Sequence, residues 1–303
     1  MSLFNTLMAS AVALAPRALV RKISRRYIAG DTVADAIERV AALNAAGFAA
    51  TVDVLGETTE SLSQADATTR EYLKVLEAIA LEGLHANISV KPTALGLLLD
   101  AAHCERNLER LLDAAKAHLT FLRIDMEDAS CTQREIDLLL RLKKRGYTYV
   151  GLVLQAYLKR TDNDIGLLLG AGENLRVCKG IYVEAREHLV EGAWHNRRAI
   201  NPHFLRQVAR CFESCTFVGI ATHDEELVDQ VITLARSRRV ANTAFEFQML
   251  LGVCEGLRDR LLAEGYAVRI YVPCGKDWYG YSMRRIKENP RIAGYLVRAL
   301  LMR

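Results

Sequence analysis

"VRIYVPCGKDWYGYSMRRIKENP", residues 268–290, reads as a strand, a sharp turn and a helix. Val268–Val272 is rich in β-branched and bulky residues. Pro273-Cys274-Gly275 breaks that run, and a 3.6-residue period takes over. Spacing of i, i+3, i+4 and i+7 puts Tyr281, Arg284, Arg285 and Glu288 on one arc of the helix, with Tyr279, Met283 and Ile286 roughly opposite. One account is an amphipathic helix whose charged face is solvated. The other is two guanidiniums set side by side to grip a carboxylate or phosphate. The stretch alone leaves both open.

The same strand-to-helix change occurs seven times upstream. The strand candidates are Ala49–Glu57, Asn87–Thr93, Thr120–Asp128, Tyr149–Tyr157, Leu175–Tyr182, Thr216–Asp224 and Ala244–Leu250, and the run quoted above is the eighth. Helical patterns such as "TREYLKVLEAIALEG" (69–83) and "QREIDLLLRLKKRG" (133–146) separate them. Alternating β and α implies a parallel sheet with right-handed crossovers. Eight such units in about 250 residues predict an α/β fold, a (β/α)8 barrel with extra N-terminal helices. An open doubly wound sheet is the alternative. No Gly-x-Gly-x-x-Gly follows a strand, and Gly170–Asn174 precedes one, so it is a turn. Residues 1–48 are expected to form a helical segment packed on the barrel, with a helix capped near Asp31–Thr32 and stopped at Gly47. Residues 49–303 are expected to form the catalytic barrel.

The 303 residues are 51% hydrophobic and 25% charged, with a net charge of +4, which suits an ordinary globular protein and does not argue for nucleic acid. Seven scattered cysteines with no Cys-x-x-Cys suit reduced thiols in a cytosolic compartment, and no metal site is expected. "LMASAVALAP" is apolar, but its basic residues follow it, the wrong order for a signal peptide, and it is too short to span a bilayer. Both ends are basic. Residues 1–30 carry Arg17, Arg21, Lys22, Arg25 and Arg26 with no acid, and the last twenty residues carry six cations against Glu288. Attraction to an anionic membrane surface and two ordinary amphipathic helices both account for this.

In a barrel, reactive groups collect at strand C-termini. There the chain places Lys91, then Asp125, Glu127 and Asp128, then Gln155, Arg176 with Lys179, Thr222 with His223, Glu246 with Gln248, and Tyr271. Each alone has a plain structural use. Together they describe a cationic, aromatic mouth suited to an anionic ligand, with Asp125 and Glu246 as offsetting carboxylates and strand interiors expected to be apolar.

In order, "DVLGE", "SVKPTALGL", "RIDMED", "LQAYL", "RVCKGIYVE", "ATHD", "FEFQMLLG" and "YVPCGKDWYGYSMRR" cover most of the chain, from near Arg25 to near Pro290, each at a strand end. In this the chain resembles the proline dehydrogenases of the single-function bacterial type, FAD-dependent (β/α)8 barrels. The resemblance implies oxidation of L-proline to Δ1-pyrroline-5-carboxylate, reduction of bound FAD and onward transfer to a membrane quinone. It implies a cytoplasmic protein, peripheral at the inner face of the cell membrane. By the same resemblance, Lys91, Arg284 and Arg285 grip the substrate carboxylate. Tyr271, Tyr281 and Leu250 pack on its ring. Asp125 organises the charges, and Arg176 lies near flavin N5. Met126, Gln155, Lys179, Gly180, Ile181, Thr222 and His223 match cofactor-contacting positions. Tyr271 stands where hydroxyproline-oxidising relatives carry a smaller residue, which implies selectivity for proline. Pro92, Val183 and Cys274 depart from the pattern. Two other readings of the residues compete: a Schiff-base lyase or aldolase using Lys91 or Lys179, and a barrel that binds proline or flavin without catalysis.

Overall fold

The computed structural model describes residues 20–21, 24–56, 59–170 and 174–288, with the side chains of 284–288 outside that description. Helix α1 (Val33–Ala45) opens on a capping box, in which Asp35 N–H donates to Thr32 Oγ1 and Thr32 N–H to the Asp35 carboxylate. It stops at Gly47, whose φ of 89° is the left-handed conformation expected after a helix. Then come β1 (Ala49–Val54), α2 (Leu62–Leu81), β2 (Ala86–Val90), α3 (Ala101–Ala117), β3 (Leu122–Ile124), α4 (Thr132–Lys144), β4 (Val150–Gln155) and α5 (Thr161–Gly170). The second half is β5 (Asn174–Cys178), α6 (Asn201–Glu213), β6 (Val218–Ala221), α7 (Glu225–Ser237), β7 (Phe245–Leu250), α8 (Glu255–Ala263), β8 (Val268–Cys274) and α9 (Trp278–Glu288).

All eight strands are parallel and each pairs with the next, and β8 pairs with β1, so the sheet closes. The eight strand candidates all appear, shorter at their ends because the chain leaves the ladder as it turns over the rim. The outward faces, among them Val52, Ile88, Ile124, Leu152, Val177, Ile220 and Phe247, are buried against the helices. The part of the expected N-terminal segment before Val20 lies outside the described residues.

The inward faces correct the expectation of apolar strand interiors. Low in the barrel, Arg123 donates to Asn174 O (2.7 Å) and Oδ1 (2.5 Å), and Arg269 donates to Glu246 Oε1 (2.6 Å) and Ala50 O (2.7 Å). Period-2 alternation allows this, because helices cover one face and the other face meets its own kind across the barrel. Arg269 is tolerated because Glu246 pairs with it, and Arg123 because neutral oxygens of Asn174 and Leu152 accept its N–H groups. Glu246 therefore pairs directly with Arg269 low in the barrel, and reaches Arg176 only through the Gln248 amide.

Pro273 also finds its explanation here. The β7–β8 register ends at Leu250↔Tyr271, and Leu251 N–H already donates to Tyr271 O. On that side Pro273 has no neighbouring strand needing an N–H donor. Its carbonyl instead accepts from Ala29 N–H (2.9 Å), and Gly275 N–H donates to Gly30 O (2.9 Å), so the segment before α1 straps the end of β8. Arg21 pairs with Asp31 and lies 4.8 Å above the Trp278 ring, and Arg26 pairs with Glu255 at 2.6 Å. Two cations of the basic N-terminal run are thus engaged within the fold.

Candidate active site

At the mouth stand two ion pairs. The first joins β1 to the end of β2. Lys91, the residue after β2, places Nζ 2.9 and 3.0 Å from the two oxygens of Asp53. Burial pushes the Lys91 ammonium towards neutrality, but the charges of Asp53 and Asp125 and the Asp53 hydrogen bond outweigh it, so its pKa is raised. Two of the three ammonium donors face Asp53, and one is left for a ligand.

The second pair crosses the barrel. Arg176, in β5, donates from Nη1 to Asp125 Oδ1 (2.7 Å) and Ser89 Oγ (3.3 Å). Its Nε donates to Gln248 Oε1, and Gln248 Nε2 donates to Glu246 Oε1 (2.6 Å). Gln248 thus joins a cation to an anion, and since Arg only donates and an ionised Glu only accepts, its amide has one workable orientation. Tyr271 OH donates to Asp125 Oδ2 (2.9 Å), and Arg176 lies 5.6 Å from the Tyr271 ring centre. Burial, then the carboxylates of Asp125 and Asp53, hold the Tyr271 phenol well above its usual pKa, so it remains a donor. Both Asp125 oxygens are engaged, which makes this carboxylate an organiser of charge.

Glycine makes room for this arrangement. Gly219 stands between Arg176 and Glu246 in the register, and a methyl there would come within 2.4 Å of Gln248 Nε2.

Around the rim, Lys179 Nζ donates to Asp224 Oδ2 (2.6 Å), and Asp224 also caps α7 through Leu227 N–H. Burial pushes the Asp224 carboxyl up, but the Lys179 hydrogen bond and charge dominate, so its pKa is lowered. Thr222 Oγ1 accepts from Asp224 N–H (3.2 Å). His223 Nε2 accepts the Leu250 amide (2.9 Å), which tethers β6 to β7 and assigns the His proton to Nδ1. Gln155 closes β4 and donates to Glu127 O (2.7 Å). Gly180 has φ 102°, and its missing Cβ leaves room for the Tyr157 ring. Met126 is buried, whereas Ile181 and Val183 are exposed on the loop beyond β5.

Asp125, Arg176 and Tyr271 are thus joined to one another, Lys91 is held by Asp53, and His223 is tied to Leu250, the register partner of Tyr271, all towards the C-terminal ends of the strands. Tyr281 is half-buried on α9. Arg284 and Arg285 lie on the same helix, but their side chains fall outside the described residues. Sequence reasoning missed Asp53, Gln248's linking role and Asp224. Asp53 carried a readable signal: it is the lone acid in an apolar strand, two residues from Thr51 and so on the same face. Glu127 is turned aside, since Thr93 N–H and Oγ1 both donate to it.

The proline dehydrogenase family model matches residues 36–298. The chain belongs to the proline dehydrogenase family. It is 35% identical over 278 residues to proline dehydrogenase 1 of Bacillus subtilis subsp. natto, covering 92% of this chain and 90% of that protein. It is 32% identical over 283 residues to proline dehydrogenase of Deinococcus radiodurans, covering 92% and 90%. Among solved structures, proline utilization A from Bdellovibrio bacteriovorus superposes with a TM-score of 0.82 at 22% identity, a likeness of fold. That alignment covers 89% of this chain and 33% of that one, so the chain spans about a third of the larger protein's length.

Proposed function

We propose that this proline dehydrogenase family member oxidises L-proline to Δ1-pyrroline-5-carboxylate at the barrel mouth, in proline catabolism, with FAD as its cofactor and a membrane quinone as the onward acceptor. The observation that carries the reading is the union of the Lys91–Asp53 and Arg176–Asp125–Tyr271 groups on one rim. A small anion with a ring needs such a site: a fixed cation, a carboxylate and an aromatic wall.

The residues present fit a flavin. Arg176 is 6% exposed and uses Nε and Nη1 on protein partners, which leaves Nη2 without an acceptor among the described residues. Lys179, Gln155, Thr222 and His223 line the same rim, beside the exposed apolar Ile181 and Val183. When bound, FAD supplies the two-electron acceptor for the substrate C–H bond. Lys91 supplies one free N–H to the substrate carboxylate, with Arg284 and Arg285 as its proposed companions. Leu250 and Tyr271, register partners on β7 and β8, offer the ring a surface, and Tyr281 is its proposed third wall. The amine must be neutral before oxidation, so turnover rises with pH until proline is deprotonated on binding.

The lysine chemistry of an aldolase or lyase fits less well. Such a lysine must be neutral to attack a carbonyl, and Lys91 is held as an ammonium by Asp53. Among the described residues no helix is long and apolar enough to cross a membrane. A cytoplasmic protein touching the bilayer peripherally agrees with that, and the engaged Arg21 and Arg26 shift any membrane contact to other groups.

The test is anaerobic. Protein reconstituted with FAD should be yellow and should bleach on adding L-proline, with an o-aminobenzaldehyde-reactive product. A yellow protein that keeps its colour in excess proline would refute the reading.

A further inference from the structure

Tyr72 belongs to α2, outside the barrel, yet its hydroxyl lies within the sheet. Strands β1 and β2 are in register at Ala50↔Ala86, Thr51↔Asn87 and Val52↔Ile88, and Ala50 N–H donates to His85 O at 3.1 Å. A parallel ladder advances two residues per bond on each strand. Continued upward, it would join Val54 N–H to Ser89 O. That bond is replaced: Val54 N–H donates to Tyr72 OH (3.1 Å), and Tyr72 OH donates to Ser89 O (2.8 Å). One phenol oxygen has been inserted into one rung, at the point where the pairing of the two strands stops.

The consequences fall on the site. Asp53 Oδ1 lies 3.1 Å from the Tyr72 oxygen and 2.9 Å from Lys91 Nζ. Ser89, whose carbonyl receives the phenol proton, offers its own Oγ to Arg176. Tyr72 is 1% exposed, and burial followed by the Asp53 charge holds its phenol well above the usual pKa, so the oxygen keeps its proton. Tyr72 separates the ends of β1 and β2, and its bond from Val54 N–H fixes the backbone next to Asp53.

We infer that Tyr72 is a positioning residue for substrate recognition: by occupying a rung of the β1–β2 ladder it sets the Asp53–Lys91 pair that receives the carboxylate. This rests on the reading of the mouth as a proline site. Tyr72→Phe keeps the ring and deletes the oxygen. With the wedge gone, Val54 N–H and Ser89 O are free to close on each other, and Lys91 follows Asp53 away from its place.

The holoenzyme test compares wild type, Tyr72→Phe and Ile79→Val, a buried change on the same helix that costs stability without touching the ladder. Tyr72→Phe should raise the KM for L-proline about tenfold, the equivalent of one lost hydrogen bond, with kcat within about twofold of wild type. Ile79→Val should lower Tm and leave KM alone. Amide exchange at Val54 is the second readout, and it should change in Tyr72→Phe only. A Tyr72→Phe enzyme with lowered Tm and wild-type KM would overturn the inference and leave the proline reading intact. A wild-type holoenzyme that does not oxidise proline would overturn both.

Discussion

Gly219 is the smallest element of the site, and replacing it gives a demanding test of the buried relay beneath the mouth. A methyl built there lies 2.4 Å from Gln248 Nε2, 2.8 Å from Cδ and 3.2 Å from Oε1. Ordinary contact between non-bonded heavy atoms begins near ~3.5 Å, so the Gln248 amide must retreat by roughly 1 Å. It cannot do so and keep both the Arg176 Nε–H and the Glu246 Oε1, which it links at hydrogen-bond distance. Overpacking a filled core costs about 1–3 kcal/mol, and leaving a buried charged donor unsatisfied costs a similar amount. At roughly 2–4 °C per kcal/mol, the two costs together should lower the Tm of Gly219→Ala by about 4–24 °C. The larger effect should be on turnover. A displacement of about 1 Å in a positioning group can cost on the order of 100-fold, and the group displaced here is the guanidinium proposed to face the flavin. The assay is single-turnover flavin bleaching by proline, beside a thermal melt. Gly256→Ala is the control, since a methyl there meets nothing within 4 Å and should leave both unchanged or raise Tm slightly. Wild-type bleaching and an unmoved Tm in Gly219→Ala would refute the relay.

Asp125→Asn retains one acceptor for either Arg176 or Tyr271 but not both, and should destabilise the fold by about 3–5 kcal/mol, read as a denaturant midpoint shift. A variant with wild-type midpoint would show that the crossing pair contributes little. Glu135 is fully buried, with Oε1 accepting the Glu127 amide and Oε2 without a hydrogen-bond partner among the described residues. Burial, then the neighbouring Glu127 charge, raises its pKa well above the usual carboxylate value. A raised carboxyl binds its proton more tightly folded than unfolded, so it lowers stability as pH climbs past the unfolded value near ~4.3. Glu135→Gln removes that slope, and its Tm advantage over wild type should widen from pH 4.5 to pH 8; a constant difference would contradict the assignment. Asp224→Asn keeps the cap on α7 but withdraws the charge that fixes Lys179, and should weaken FAD retention in equilibrium dialysis while leaving Tm within a few degrees; unchanged retention would remove Lys179 from the cofactor site.

The barrel was legible because period and punctuation agree throughout. Eight β-branched runs each gave way to a helical pattern, and Thr32 and Gly47 marked the ends of α1 as the structure has them. The polar rim was legible in part. Lys91, Asp125, Arg176 and Tyr271 stand out as ionisable or aromatic residues in or just beyond strands, but their partners are set by closure of the sheet. Asp53 meets Lys91 because β1 adjoins β2, and Tyr271 meets Asp125 only across the barrel. Glu246 illustrates the limit. It sits one residue into β7, and only the register, which sets it beside Gly219 and near Arg269, sends it to the floor. Tyr72 was invisible for a related reason, since an apolar-face helix residue shows nothing in sequence of the rung its hydroxyl enters.

The clasp of Ala29 and Gly30 on Pro273 and Gly275 has a bearing on synthesis. A ribosome delivers the first strand long before the last, and until Val268–Cys274 emerges, β1 has a bare margin and Tyr271 does not yet exist to meet Asp125. A nascent chain halted before residue 268 cannot hold a sealed cylinder, so the ring closes in one step with the last strand, and the residues of α9 follow it.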